Sequence, residues 1–139
     1  MNTTEREKLL AVVVEPMKVP VIKEIESDLK GFQDLVGGYI QAVYPYDDPV
    51  AIVCNDEGKL DGLPLNRALR DDAGTPYDVI AGTFAVVGLG AEDFTSLSPE
   101  LAQKYSDVFK TIEDFAMYNG QLVVVPISEN EANFMTQTM

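Results

Sequence analysis

The sequence contains no histidine among its 139 residues. Nucleophilic mechanisms that pair serine or cysteine with histidine are therefore excluded within this chain, as are imidazole proton transfer and histidine metal sites. The single cysteine, Cys54, excludes an internal disulfide and any zinc site built from several thiolates of one chain. Because Cys54 ends the apolar run VAIVC, we interpret it as a small buried residue and not as a reactive thiol.

Basic residues are also few: ten lysines and arginines stand against 23 aspartates and glutamates, for a net charge of −13. They form no cluster, and binding to a phosphate backbone needs a positive footprint. We therefore expect no direct contact with nucleic acid or with an anionic membrane. The acidity serves solubility, or alternatively it mimics DNA and occupies the basic cleft of another protein. Both explanations stay open.

Long apolar runs and a secretion signal are lacking as well. No run approaches the roughly 18 residues of a membrane span, and the N-terminal MNTTEREKLL has no apolar signal core. With one thiol and no signal, we expect a cytoplasmic protein. The length suits one domain, residues 1–139.

Cofactor motifs are incomplete. The segment GLGAED (88–93) has an aspartate where a dinucleotide loop needs its third glycine, and no P-loop lysine follows it. The acid-rich segment NDEGKLDG (55–62) does not keep the spacing of a calcium loop. We therefore predict no cofactor and no metal site. Since no nucleophile is matched to a base, we also predict no enzyme activity.

The apolar pattern predicts an α+β fold, a mostly antiparallel sheet of about six strands with two main helices packed on one face. A hairpin is expected from the first two strands. The predicted strands are 9–14, 19–25, 39–46, 50–54, 79–88 and 122–127.

The predicted main helices are 28–36, with Ser27 as its N-cap, and a second from Ser98 to about Tyr118, with a break near Lys110 as an open alternative. A short helix is expected at 65–70, after Pro64. The polar tail, 128–139, is expected to be frayed.

Several segments resemble, in order and spacing, a family of small proteins from phages, plasmids and gut Firmicutes that is known only as a domain of unknown function. These segments are GGYI (37–40), CNDEGKLDGLPLNR (54–67), IAGTFAVVG (80–88) and FTSLSPE (94–100). The resemblance covers about 12–110 and leaves out 111–127, predicted as a helix end and an edge strand. It implies a mobile genetic element as the source, and it implies no activity.

The segment after VAIVC is where we expect function, because polar residues on loops often bind ligands or partners. Its candidate binding residues are Asn55, Glu57, Lys59, Asn66 and Arg67. In a site, Arg67 would hold an anionic group and Asn66 would orient it.

A stacking face would come from aromatic residues of the preceding segment, namely Tyr39, Tyr44 or Tyr46. The alternative role of the candidate residues is structural. In that case Asn55 and Asn66 satisfy turn backbone, and Arg67 pairs with Asp71. Both roles stay open.

Two hypotheses for function follow. The first is a non-enzymatic binding or regulatory protein of a mobile genetic element, whose partner is a host or defence-system protein. The second is a protein that binds or sequesters a small, nucleotide-type ligand with the 55–67 loop. The edge expected at LVVVPI (122–127) is also a place where a second copy would pair.

Overall fold

The fold is known from a computed structural model that describes residues 7–137. Over that range, strands and helices follow one another in this order: β1 (Lys8–Val14), β2 (Val21–Glu26), α1 (Leu29–Val36), β3 (Ile40–Val43), β4 (Val50–Asn55), β5 (Leu65–Arg70), β6 (Pro76–Ala81), β7 (Phe84–Leu89), β8 (Phe94–Thr95), α2 (Pro99–Val108), β9 (Ile112–Tyr118), β10 (Gln121–Ile127) and α3 (Glu129–Gln137). Within it, no helix is long and apolar enough to span a bilayer.

A six-stranded antiparallel sheet forms the centre of the molecule, in the order β2-β1-β7-β4-β3 with β8 paired to β7. The predicted first hairpin is confirmed, since β1 pairs with β2 and Val12 lies opposite Ile22. Two further antiparallel pairs, β5–β6 and β9–β10, lie outside this sheet. The predicted α+β class with a mostly antiparallel sheet is thereby confirmed.

Alternate side chains of the central sheet feed two separate cores. On one face, Val12 and Ile52 pack with Tyr105 of α2 and with the β5–β6 hairpin. On the other face, Val13 packs with Phe32 of α1. Successive strand residues point to opposite faces, and both sets are apolar here, so each face needs a cover. The prediction that both main helices pack on one face is therefore corrected: α1 and α2 lie on opposite faces.

Residues 65–70 form strand β5, and the predicted short helix at this position is wrong. β5 pairs with β6, and Ala68 and Leu69 are buried. This tertiary pairing outweighs the helical propensity of the segment LNRALR. In the same way, the second main helix ends at Val108, and residues 112–118 form β9 against β10 instead of continuing the helix.

The strand predicted at 79–88 is divided at Gly82 into β6 and β7. Gly82 has a φ of +82°, and a Cβ at this position would lie 2.8 Å from Leu63 Cδ1. Positive φ and close approach both favour glycine. A bend at Gly82 therefore divides the predicted continuous strand between two sheets.

The N-cap of the first helix and the C-terminal segment also differ from expectation. Helix α1 is capped by Asp28 and not by Ser27, since the Asp28 side chain accepts a hydrogen bond from Gly31 N at 2.8 Å. Residues 129–137, expected to be frayed, form α3. Ser128 and Glu131 exchange backbone-to-side-chain hydrogen bonds at 3.0 and 3.2 Å, the reciprocal arrangement of a capping box.

Candidate functional site

The structure separates the predicted site residues into two groups. Asn55, Glu57 and Lys59 line a cleft at the turn that follows β4. Asn66 and Arg67 lie on β5 with 0% and 1% of their surface exposed. The expectation that all of them share one loop is therefore wrong, because residues 65–70 pair as a strand.

Asn66 is a structural residue of the interior. Its Nδ2 donates to the carbonyl oxygen of Val14 at 2.9 Å and to that of Gly82 at 2.8 Å. These bonds tie β5 to the end of β1 and to the β6–β7 turn. Buried backbone carbonyls need such partners, so the geometry favours the structural role for Asn66.

Arg67 is buried beside it, and its guanidinium donates only to carbonyl oxygens among residues 7–137. Nε donates to Phe109 at 3.0 Å, Nη2 to Lys18 at 2.7 Å and Nη1 to the Asn66 side chain at 2.9 Å. Burial lowers the pKa of Arg67 to about 10, although the negative charge of Glu113 acts to raise it. Asp71, its expected partner, instead accepts hydrogen bonds from the backbone of its own turn.

Asn55 also has a structural role, although it borders the cleft. Its Nδ2 donates to the carbonyl oxygen of Val36 at 3.1 Å, and its Oδ1 accepts from the backbone N–H of Glu57 at 2.8 Å. These bonds fix the start of the 55–60 turn against the end of α1. Glu57 and Lys59 are thereby held at the rim of the cleft.

The cleft has a volume of about 330 Å³ and lies between the central sheet, the β5–β6 hairpin and the 55–60 turn. We call it the Cys54 cleft. Its apolar lining consists of Val43, Cys54, Leu60, Leu69, Val79, Ile80 and Ala81. The interpretation of Cys54 as a buried residue is confirmed, since 6% of it is exposed, and burial raises the pKa of its thiol.

An ion pair stands at the mouth of the Cys54 cleft. Lys59 Nζ lies 2.6 Å from Asp78 Oδ1, which also accepts from the backbone N–H of Val79 at 2.8 Å. Burial alone would raise the pKa of Asp78, but the hydrogen bonds from Lys59 and Val79 outweigh it and the pKa lies below its ordinary value. Both charged side chains are about half exposed, so the pair itself adds little stability.

A larger groove of about 760 Å³ adjoins this ion pair, between the β5–β6 hairpin and β10. Lys59 and Asp78 line both recesses. The rest of the groove is mostly apolar, with Tyr77 on one side and Leu122 and Val123 on the other.

The β9–β10 hairpin beside this groove carries exposed apolar side chains, which we call the hairpin patch. They are Met117 (67% exposed), Tyr118 (69%), Leu122 (44%), Val123 (38%) and Val125 (40%). The sequence indicated an edge at 122–127, and β10 does pair with β9 alone in the described chain. Met117 and Tyr118 were not predicted as surface residues of a strand, because the segment 112–118 was assigned to a helix. The apolar residues of this segment alternate poorly with polar ones, so they gave no clear signal for a strand.

Glu113 fastens the hairpin to β5. Its Oε1 accepts from the backbone N–H of Ala68 at 2.8 Å, and its Oε2 accepts from Arg70 Nη2 at 2.6 Å. Glu113 is only 7% exposed. The same carboxylate therefore binds a backbone N–H of β5 and neutralises the charge of Arg70, which is another basic residue that lines the groove.

An acidic recess of about 510 Å³ continues from Arg70, lined by Asp47, Asp48, Asp71, Asp72, Lys104 and Tyr105 among others. The hydrogen bonds from Lys104 at 2.6 Å and Tyr105 at 2.7 Å lower the pKa of Asp48. Burial, and then the bond to Asp48, raises the pKa of Tyr105. In the part of the chain described, no group of three or more potential ligands is arranged to hold a metal ion.

The tyrosines expected to offer a stacking face do not line the Cys54 cleft. Tyr39 and Tyr44 are 76% and 61% exposed elsewhere on the surface. Tyr46 packs on Tyr105 with ring centroids 4.8 Å apart. A tyrosine stack is therefore not part of this site.

These features define a small, sheet-dominated α+β domain with a partly open cleft and an exposed apolar hairpin. The chain belongs to the family described as Domain of unknown function (DUF3846), whose model matches residues 8–110. The resemblance to such a domain is thereby confirmed. No curated protein and no solved structure matches the chain. The Cys54 cleft lies inside the matched region, whereas the β9–β10 hairpin follows it.

Proposed function

We propose that the chain is a non-enzymatic binding protein that docks a partner protein on the hairpin patch and the adjoining groove. The observation that carries this proposal is the exposure of the hairpin patch. Single exposed apolar residues are ordinary, but several of them grouped on one hairpin indicate an interaction surface. Two residues of the patch, Leu122 and Val123, also line the groove of about 760 Å³.

The arrangement of the patch favours a partner that covers the hairpin. Leu122 lies opposite Met117 in the pairing register, so these side chains share one face of the ribbon. Val123 and Val125 point to the other face. A two-stranded ribbon with apolar residues exposed on both faces is marginal in water, and covering it releases roughly 25 cal/mol per Å² of apolar surface.

Charge indicates the chemistry of the partner. The chain carries −13, and the acidic recess adjoins the groove at Arg70. Glu113 neutralises Arg70. A partner that presents apolar side chains flanked by lysine or arginine would be steered to this surface.

The resemblance to small proteins of phages, plasmids and gut Firmicutes supports a finer proposal. On this proposal the chain belongs to a mobile genetic element, acts in the cytoplasm, and binds a host or defence-system protein without catalysing a reaction. The genes that flank it give a check, since housekeeping neighbours in several genomes would argue against a mobile element.

The nucleotide-type hypothesis receives no support from the geometry. It needs Asn66, Arg67 and Lys59 to converge on a phosphate, but the first two are buried on β5. The rim of the Cys54 cleft also carries Asp56, Glu57 and Asp78 against the single charge of Lys59. Such a rim repels a phosphate.

Site-specific photo-crosslinking tests the proposed docking surface. A benzophenone amino acid replaces Leu122 in one variant and Tyr39, which is 76% exposed on another part of the surface, in the control. In cells that naturally encode the chain, we expect position 122 to give a discrete adduct with a second protein. An excess of wild-type chain should compete with this adduct, and the Leu122→Asp/Val123→Asp variant should not.

Two results would contradict the proposal. One is the same adduct from position 39. The other is an adduct of this chain with itself alone, since that would make a second copy the occupant of the surface.

A further inference from the structure

We infer that the Cys54 cleft is a second binding site, which takes a small organic cation: a primary amine on a compact apolar body. This inference goes beyond the proposed docking of a protein, because it concerns the Cys54 cleft, which shares Lys59, Asp78 and Val79 with the docking groove but has its own inner wall.

The size and lining of the cleft suit a small ligand. Its volume of about 330 Å³ falls at the lower end of the roughly 300–1,000 Å³ range of small-molecule sites. Such sites combine apolar walls with a few polar groups that fix orientation. The inner wall here includes Cys54, Leu69 and Ile80, which also belong to the core on that face of the sheet.

The charges at the rim select a cation. Asp56, Glu57 and Asp78 are opposed there by Lys59 alone among the lining residues. The negative charge of the whole chain acts in the same direction. A ligand with an ammonium group is therefore attracted to the cleft, and a carboxylate or phosphate is repelled.

Asp78 is already placed to accept an ammonium group. Its Oδ1 accepts from Lys59 Nζ at 2.6 Å. Among residues 7–137, its hydrogen bonds all end on Oδ1, which leaves Oδ2 able to accept from a ligand. Lys59 is also able to give way, because its side chain is 56% exposed and exposed pairs contribute only about 0–1 kcal/mol.

Probes of matched shape test the inference. Cyclohexylamine, cyclohexanol and cyclohexanecarboxylate share one ring and differ in the charge of the head group. In ¹H–¹⁵N spectra at pH 7.5 and constant ionic strength, we expect cyclohexylamine to cause saturable shifts at Gln41, Cys54, Leu60 and Ile80. Cyclohexanol should bind more weakly, and cyclohexanecarboxylate should cause no saturable shift.

Variants of the chain then test whether Asp78 binds the ammonium group of cyclohexylamine. Asp78→Asn should weaken cyclohexylamine binding about tenfold, as expected for one lost charge-assisted hydrogen bond. Asp34→Asn is the matched control, because Asp34 also pairs with a lysine, Lys30 at 3.4 Å, but lies outside the cleft. Lys59→Met should tighten binding, since it removes the lysine that forms the ion pair with Asp78. The dispersion of each variant's spectrum reports whether it is folded.

The inference is overturned if the wild-type chain shows no saturable shift with cyclohexylamine, or if the carboxylate binds equally well. It is also overturned if folded Asp78→Asn binds as tightly as wild type, or if Lys59→Met binds more weakly. The Leu122→Asp/Val123→Asp variant should retain amine binding, so a failure of either proposal can be told from a failure of the other.

Discussion

Arg67 links separate parts of the chain through its guanidinium. It joins the turn after β1 at Lys18, the end of α2 at Phe109 and its own strand at Asn66. The carbonyl of Phe109 lies at the C-terminus of α2, where the helix dipole favours a cation. Desolvation of a charged group is costly, and these carbonyl partners offset that cost.

Replacing Arg67 with methionine tests this role. The Arg67→Met variant leaves the buried carbonyl of Phe109 and the part-buried carbonyl of Lys18 without these donors, and an unsatisfied buried group costs about 1–3 kcal/mol. We therefore expect the free energy of unfolding to fall by about 3 kcal/mol, measured by urea denaturation. Lys30→Met, at a side chain that is 70% exposed, should change it by less than about 0.5 kcal/mol. Equal denaturation midpoints for Arg67→Met and wild type would contradict the structural role.

The raised pKa of Tyr105 predicts how the free energy of unfolding changes at alkaline pH. An unfolded tyrosine ionises near its ordinary pKa of 10.0, whereas burial and the bond to Asp48 raise the pKa of folded Tyr105. The stabilisation is therefore complete below pH 10 and is lost as the pH rises above 10 towards the folded pKa. In unfolding measurements from pH 9 to 11, the stability difference between wild type and Tyr105→Phe should shrink.

The comparison with a phenylalanine variant isolates this effect, because Tyr46, whose pKa is raised to about 12 mainly by burial, and Arg67 titrate in both proteins. Tyr39→Phe, at an exposed position, is the control for the loss of a tyrosine hydroxyl as such. A constant or growing difference for Tyr105→Phe would show that the buried hydroxyl is not held neutral by the fold.

At this same scale, the sequence predicts some features of the site and not others. Cys54 in an apolar run was correctly interpreted as buried. Asn66 and Arg67 were predicted as candidate binding residues, but their partners lie 16 to 52 residues away along the chain, apart from their contacts with each other. Only tertiary structure brings such partners together, so spacing alone assigned these residues to a loop.

Among the secondary-structure elements, the predictions succeeded where the apolar pattern was strong. They failed where pairing with another strand determined the structure. The apolar residues of α1 recur at helical spacing, and the short runs at β1 and β4 are rich in β-branched residues, which favour strands. The segment LNRALR has good helix formers yet forms β5, because β6 offers a strand partner. The placement of helices on both faces of the sheet followed from the continuous apolar run of β1, which the sequence already contained.

The attachment of the β9–β10 hairpin through Glu113 gives a prediction at this scale. Glu113→Gln keeps an acceptor for Ala68 N but removes the ion pair with Arg70, which measures 2.6 Å. We expect amides of Ile112–Tyr118 and Gln121–Ile127 to exchange with deuterium several-fold faster, while those of β4 stay protected. Glu92→Gln, at an exposed loop position, is the control and should leave exchange unchanged. Unaltered exchange in the hairpin of Glu113→Gln would show that other contacts hold it.

At the scale of the whole molecule, charge and exposed apolar surface act together. A net charge of −13 keeps copies of the chain apart, while the hairpin patch favours association with a partner. A basic partner would satisfy both tendencies, and its binding should weaken as salt rises, because the Debye length falls from about 30 Å at 0.01 M to about 8 Å at 0.15 M.

The central claim is that a partner protein covers the hairpin patch and the groove. Hydrogen–deuterium exchange of the chain, alone and in complex with the protein that crosslinks at position 122, tests this claim most directly. We expect slower exchange in the complex at residues 117–125 and at 76–79, with no change in α1. Protection confined to α1 and the sheet face beneath it, with the hairpin exchanging as in the free chain, would show that the partner binds elsewhere.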